Sequence, residues 1–344
     1  MHRNASDTTD MTGTTGTPAS PDALPGSLPD PLSDAVLQAR ALFPRGLVQP
    51  VGGFRFSVDA LLLAAFAGQT LTEREALTAD AKNIRLGRRM APGAQPVAAE
   101  QDAASRGNTL AFADLGTGCG VVGLALLLAH PHLTGTAIDI DGELADAARQ
   151  NAARLGLADR FRVLRADLAA ADADDSRGKE NTPAAATPMD MPAFDALPKA
   201  GSMNLVVANP PYRRHGSGRP SPSGQRTRAL FETPETLPAF TRAAARLLRA
   251  RGRSCWVYGP DRLPDLLLAL RATGQEPARL RCVHARAHGP ATLVLVEARR
   301  AGKPGLIVEP PLILHAGEGT ATALTDAALA FCPLLACNAG GKER

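Results

Sequence analysis

The chain has 344 residues, 44% hydrophobic, 21% charged and 4% aromatic, with a formal net charge of +4. That is the composition of a soluble globular protein, long enough to bury a full core in one large domain or two small ones. The mild positive balance permits a nucleic-acid partner without requiring one. Five scattered cysteines with no CxxC spacing argue against a disulfide framework or a zinc site, and a reducing cytoplasm fits best. His130 and His132 flank a proline and read as a helix end rather than metal ligands. The first thirty residues lack both the apolar core of a signal peptide and the arginines of a transit peptide, and apolar runs such as 60–67 are too short to span a bilayer.

Residues 1–32, rich in Thr, Gly, Asp and Pro, read as a disordered tail. A segment over 33–69 is expected to pack on the core. It opens with a helical stretch at 33–42, and 47–56 then reads as two short extended pieces around the Gly52-Gly53 turn. Ser57 is placed to cap a helix whose Leu61, Leu62 and Phe66 face inward. Two aperiodic stretches, 70–108 and about 169–201, read as surface insertions without an assigned role.

A strand over Leu110–Leu115 runs into Asp114-Leu-Gly-Thr-Gly-Cys-Gly120, with an apolar helix following over 121–130. Taken alone, the loop has two readings. Gly118-Cys-Gly120-Val-Val-Gly123 satisfies GxGxxG, and Asp139 lies at the spacing of a ribose-binding acid, so a nicotinamide dehydrogenase fits the same residues. Two details favour S-adenosylmethionine. A carboxylate at Asp114 would face a pyrophosphate but suits a methionine ammonium, and no downstream segment offers a hydride-transfer constellation. On this reading Gly116, Gly118 and Gly120 let the backbone approach the cofactor. Asp139 ends a second strand over 134–140 and accepts from the ribose hydroxyls. Asp141 caps a helix carrying Leu144, Ala148, Asn151 and Leu155 on one side, with Gly156 at its C′ position. Asp167, after a third strand over 161–166, reaches the adenine amino group.

The fourth strand, Met203–Ala208, leads into Asn209-Pro210-Pro211-Tyr212. The lone pair of an exocyclic amine, like that of a glutamine amide, is delocalised and poorly nucleophilic. The Asn209 side-chain oxygen and the Pro210 carbonyl can each accept one N–H and pull the nitrogen toward tetrahedral geometry beside the cofactor. Proximity adds to this term, and no low-pKa base is needed. Pro210 and Pro211 stiffen the corner, and Tyr212 offers a face on which a splayed-out base stacks. Arg213, Arg214, His215, Arg219, Arg226 and Arg228 follow with no acid among them, where a polyanion's phosphates would lie.

A helix over 237–250, a strand over 253–258 and a helix over 261–273 continue the alternation. Strands over 279–284 and 291–297 are joined by a short loop and must pair antiparallel. The fold class is α/β, a doubly wound Rossmann-like sheet with a terminal antiparallel hairpin. This order resembles the class I S-adenosylmethionine-dependent methyltransferases. Cys332 and Cys337 lie in a helix-like stretch of the tail 315–344, with core packing as their default role.

Three segments resemble the bacterial tRNA1(Val) adenine-37 N6-methyltransferase family. They are Gly53-Phe-Arg-Phe-Ser-Val-Asp-Ala-Leu-Leu-Leu63, the Asn-Pro-Pro-Tyr corner with its Gly-Ser-Gly-Arg219 loop, and the late run Val283-His-Ala-Arg286 through Lys303-Pro-Gly-Leu306 and Pro310-Pro-Leu312. The resemblance covers about 44–69, 110–168 and 202–314, and places the methyltransferase domain at 109–314. It implies methyl transfer to N6 of the adenine beside the anticodon. Other readings remain open at this point: a release-factor glutamine methyltransferase, which would call for a helical recognition domain that the first hundred residues leave little room for; a guanine-N2 ribosomal RNA methyltransferase; and a non-catalytic RNA-binding factor.

Overall fold

The computed structural model describes residues 32–50, 56–72, 110–169, 194–211, 234–318 and 323–339. The tail 1–31, the Gly52-Gly53 turn, most of both insertions, and Tyr212 with the arginine loop lie outside these residues.

Two short helical segments come first, α1 (Asp34–Ala41) and α2 (58–72). The sheet then builds from β1 (Leu110–Leu115), β2 (Leu133–Asp139), β3 (Phe161–Arg165), β4 (Met203–Ala208) and β5 (Leu248–Tyr258), all parallel. Helices α3 (Val121–Ala129), α4 (Gly142–Arg154) and α5 (Thr236–Leu247) connect them, and α6 (Leu263–Ala272) follows β5. The hairpin β6 (Gln275–His284) and β7 (Ala291–Arg300) turns back so that β7 lies antiparallel between β5 and β6. The strand order is β3-β2-β1-β4-β5-β7-β6, extended by β8 (Ile307–Val308), with β9 (Leu312–Ile313) also pairing with β6. This is the doubly wound, Rossmann-like sheet with a terminal antiparallel hairpin that the sequence indicates. The order reverses between β1 and β4, which puts a ligand crevice at their carboxyl ends.

All six residues of β4 are buried, as expected of a parallel strand covered on both faces. On one face α2, α3 and α4 pack with the C-terminal helix α7 (Asp326–Phe331), around Leu61, Leu62, Leu63, Phe66, Leu124 and Leu127. On the other, α5 and α6 pack over Trp256, Tyr258, Leu266 and Leu270.

Several boundaries differ from those read in the sequence. Among the described residues, 47–50 form no strand: the Val48 N–H donates to Asn151 Oδ1 (2.7 Å) and the Val48 carbonyl accepts from Asn151 Nδ2 (3.0 Å), so a side-chain amide replaces a neighbouring strand. Ser57 precedes α2, but its buried hydroxyl makes no capping bond. α2 continues to residue 72 with Thr70 and Leu71 buried, so the packed segment extends into the stretch read as an insertion. At the far end of the second insertion, Asp195 and Arg165 exchange two hydrogen bonds, N–H to carbonyl and N–H to carboxylate, both 2.8 Å. This binds the returning chain to the free edge of β3.

The helix expected over 237–250 stops at Leu247. Leu248 opens β5 and pairs with Met203, and Arg251 takes a positive φ of 61° at the irregularity that follows within the strand. β6 starts four residues early because Pro277 sits at a register shift, where its missing N–H breaks no ladder bond. The segment after 314 is not a loose tail. His315 pairs with Leu324, and Ala328, Cys332 and Leu335 are buried against α2, with Cys332 Sγ donating to the Leu61 carbonyl (3.5 Å).

A buried ion cluster ties α2 to the hairpin. Glu297 on β7 is 1% exposed and meets Arg253 of β5 (2.9 Å), Arg279 of β6 (3.2 Å) and the Thr70 hydroxyl (2.8 Å). Arg279 also donates to the Phe66 carbonyl (3.1 Å) and lies over the Phe66 ring at 4.0 Å.

Candidate active site

Parallel pairing of β1 with β4 aligns Leu115 with Ala208. The glycine loop that starts at Gly116 and the corner that starts at Asn209 therefore leave the sheet side by side, one strand spacing apart, about 4.8 Å. Neither motif specifies this on its own; the strand order brings them together.

Asp114 is 1% exposed beneath the loop. Its Oδ2 accepts from the Thr117 hydroxyl (2.8 Å) and the Gly123 N–H (3.0 Å), which closes the loop back onto the start of α3. Burial pushes its carboxyl up from the ordinary 3.8 to about 7, against the lowering effect of those two bonds, and neighbouring Asp139 adds to the rise. Asp139 stands at the end of β2. Its Oδ2 accepts from the Gly118 N–H (2.8 Å) and its Oδ1 from the Asp141 N–H (3.0 Å). Burial raises it to about 6. Among the described residues, no cationic side chain acts on either carboxyl. Two buried carboxylates with no counter-charge among the described residues make a site that gains from a bound cation.

Two glycines carry the geometry of the loop. Gly116 (φ 64°) lies so close to the Phe240 ring of α5 that a Cβ would approach it to 2.9 Å. Gly118 (φ 59°) is the opposite case, with open space where a Cβ would stand. Gly120 begins α3 in the left-handed region. Beyond Asp139, Ile140 is 55% exposed, an apolar face beside the carboxylate. Asp167 follows β3 and accepts from the Ala169 N–H (2.8 Å) at the rim of the same edge. Cys119 is buried, which raises its thiol to about 12 and excludes a thiolate role.

Asn209 and Pro211 are half-buried and Pro210 is buried, so the corner is seated in the fold rather than projecting from it. Tyr212 lies outside the described residues, as do Arg213, Arg214, Arg219, Arg226 and Arg228. Three contributors to the site went unassigned in the sequence. Thr117 looked like a spacer within the glycines, and Phe240 one apolar residue among many. Asn151 shares one side of its helix with Leu144, Ala148 and Leu155, and an amide buried on such a side is itself a signal. It donates to the Cys119 carbonyl (2.9 Å) as well as to Val48, joining the glycine loop to the N-terminal segment.

No family model matches the chain. Among curated proteins it is similar to the tRNA1(Val) (adenine(37)-N6)-methyltransferase of Porphyromonas gingivalis, at 29% identity over 188 residues, covering 55% of this chain and 65% of the relative. The enzyme of the same name from Tolumonas auensis is 29% identical over 198 residues, with 57% and 65% covered. A release factor glutamine methyltransferase of Agrobacterium fabrum is 30% identical over 114 residues, with 33% and 30% covered. The chain thus spans 65% of the length of the adenine-specific relatives. Similar solved structures include a predicted O-methyltransferase from Agrobacterium tumefaciens, with 19% identity, 66% of this chain and 90% of that chain covered, and a TM-score of 0.47.

Proposed function

We propose that this chain transfers the methyl group of S-adenosylmethionine to the exocyclic N6 of an adenine in tRNA, adenine-37 of tRNA1(Val), in the bacterial cytoplasm. The observation that carries the reading is the alignment of Leu115 with Ala208, which sets the glycine loop beside Asn209. The loop and its acids fit the cofactor. The open space over Gly118 gives it room, and the buried Asp114 and Asp139 favour a cationic ligand. The same charges oppose the pyrophosphate of a dinucleotide, which weighs against a nicotinamide enzyme.

When bound, S-adenosylmethionine supplies an electrophilic methyl on a sulfonium. Asp114 supplies negative charge for the ammonium, Asp139 accepts from the ribose hydroxyls while keeping its bonds to Gly118 and Asp141, and Asp167 reaches the adenine edge. Asn209 Oδ1 and the Pro210 carbonyl accept the two N–H groups of the target amine, exposing its lone pair. Tyr212 stacks on the splayed base. Acceptors placed where positive charge develops on nitrogen stabilise the transition state. The proton leaves to solvent afterwards, once nitrogen is cationic.

The similarity to a release factor glutamine methyltransferase supports a second acceptor of the same chemical kind, a glutamine amide. The five arginines after Tyr212 favour the nucleic acid. The test is incubation of unmodified bulk tRNA with labelled S-adenosylmethionine, followed by nucleoside analysis. The expected product is N6-methyladenosine, with Asn209→Ala reducing transfer by about 100-fold or more while keeping cofactor binding. Label found instead in protein or in methylguanosine overturns the choice of substrate.

A further inference from the structure

α4 touches the candidate site at two places. The N–H of its N-cap, Asp141, donates to Asp139 Oδ1 (3.0 Å), and Asn151, toward its other end, is 1% exposed beneath the glycine loop. Both donors and the oxygen of the Asn151 amide are engaged. The oxygen accepts the Val48 N–H (2.7 Å), and the two N–H groups go to the Val48 carbonyl (3.0 Å) and the Cys119 carbonyl (2.9 Å). Turned over, the amide would set its oxygen against both carbonyls, so the network fixes one orientation. Ala148 lies one turn before Asn151, and a Cβ on Gly120 would stand 3.3 Å from it. Glycine at 120 therefore lets α4 come close enough for the amide to reach the loop.

The Cys119 carbonyl belongs to the turn that carries Gly118. Thr117 closes that turn by accepting the Gly120 N–H (3.0 Å), and the Gly118 N–H donates to Asp139. Among the described residues, the other hydrogen bonds of 116–120 run to β1, β2 and α3 or stay within the loop. The Asn151 bond is the one that leads on to the N-terminal segment. That segment bonds locally on either side of Val48: the Leu47 N–H donates to the Pro44 carbonyl, and the Gln49 side chain accepts from the Phe56 N–H. The Val48 backbone therefore reaches the domain through Asn151.

We propose that Asn151 is a positioning residue that couples the seating of residues 47–50 to the binding of S-adenosylmethionine. Val48 orients the amide, the amide holds the Cys119 carbonyl, and the carbonyl fixes the turn over which the cofactor lies. The coupling runs both ways: a cofactor that secures the loop also secures the segment. The inference rests on the reading of the loop as the cofactor cradle, and it holds whichever acceptor takes the methyl group. It gives the N-terminal segment a part in cofactor affinity that is carried by one side chain of α4.

The experiment follows amide hydrogen exchange in the full wild-type chain with and without S-adenosylmethionine. It reads the Val48 amide and, as a control, the amides of α6 on the opposite face of the sheet. Ligand binding stabilises the whole fold and slows both. The coupling should slow Val48 by about 3- to 10-fold more than α6. Calorimetric titration then compares wild type with Asn151→Ala and Asn151→Asp, with melting curves to verify the fold. Aspartate keeps an acceptor for the Val48 N–H but offers no donor to Cys119. Both variants should therefore bind the cofactor about 3- to 10-fold more weakly, and the extra protection of Val48 should vanish in both. Equal slowing at Val48 and α6 overturns the coupling, as does an affinity within about twofold of wild type in a folded variant; both leave the cofactor reading standing. The exchange comparison needs no variant, so it decides the matter even where neither variant folds. A wild-type chain that binds no S-adenosylmethionine sinks the cofactor reading itself.

Discussion

Asp114→Asn separates the burial cost of the carboxylate from its use. Thr117 and Gly123 both donate to Asp114 Oδ2, and an asparagine carbonyl oxygen can accept the same two bonds. The substitution therefore keeps the loop and removes the charge. A carboxyl raised from 3.8 to about 7 in the folded chain binds its proton more tightly there than in the unfolded chain. The stability it contributes is fully present below pH 3.8 and is lost as the pH rises through 7. Integrating between those values gives a cost of about 4 kcal/mol near pH 8 and about 2 kcal/mol near pH 5.5. The cofactor-free wild type should therefore lose about 2 kcal/mol over that interval through this group, and Asp114→Asn should not. Asp139, raised to about 6, titrates in both proteins, so the difference between them reports Asp114. Urea unfolding at the two pH values measures it. Binding reverses the ranking: with the ammonium's partner removed, S-adenosylmethionine affinity near pH 8 should fall about 10- to 100-fold. Calorimetric titration reads that loss. Wild-type and variant stabilities that run parallel in pH, with unchanged cofactor affinity, would refute the account of Asp114 as a buried charge awaiting a cation.

Gly118→Ala places a methyl in the open space over the loop at a φ of 59°. It should cost about 1–2 kcal/mol of stability from the left-handed backbone and should weaken S-adenosylmethionine binding well beyond that; an affinity within twofold of wild type counts against the loop as the cofactor cradle. Glu297→Ala removes the anion that Arg253 and Arg279 share and should destabilise the fold by about 3–5 kcal/mol, with Glu297→Gln intermediate. Unfolding free energies from denaturant titration that differ from wild type by less than about 0.5 kcal/mol would show that the cluster does not clamp α2.

The strands and loop motifs were legible because each is local. β1 and β4 are short apolar runs ended by a glycine loop and a proline corner, and both stand at the residues the sequence indicates. Position within the sheet was not legible in the same way. That β7 lies between β5 and β6 is a property of pairing, and a hairpin read alone does not say which of its strands docks. The strand expected over 279–284 begins at Gln275, because Pro277 is accommodated at a register shift that the sequence does not show. In the site, the acids and glycines announce themselves by type and spacing. Phe240 and Asn151 act across α5 and α4, and their roles depend on what the fold sets opposite them. The C-terminal stretch was legible as helix-like with its cysteines packed inward, but not its partner: Ala328, Cys332 and Leu335 become a buried face only against Leu61 and its neighbours in α2.

That partnership moves the boundary of the smallest unit able to fold. The proposed chemistry runs from Asp114 to Tyr212, and a fragment beginning at β1 would carry the glycine loop, both acids and the Asn-Pro-Pro corner. It would also leave bare the sheet face that Leu61, Leu62, Leu63 and Phe66 cover at 0% exposure. It would lose the Val48 backbone that orients Asn151 beneath the loop. Trimming the chain to the portion that carries the proposed site would therefore produce a sticky, loop-softened protein. Any shortened form of this molecule should start ahead of α1 and run past Leu335.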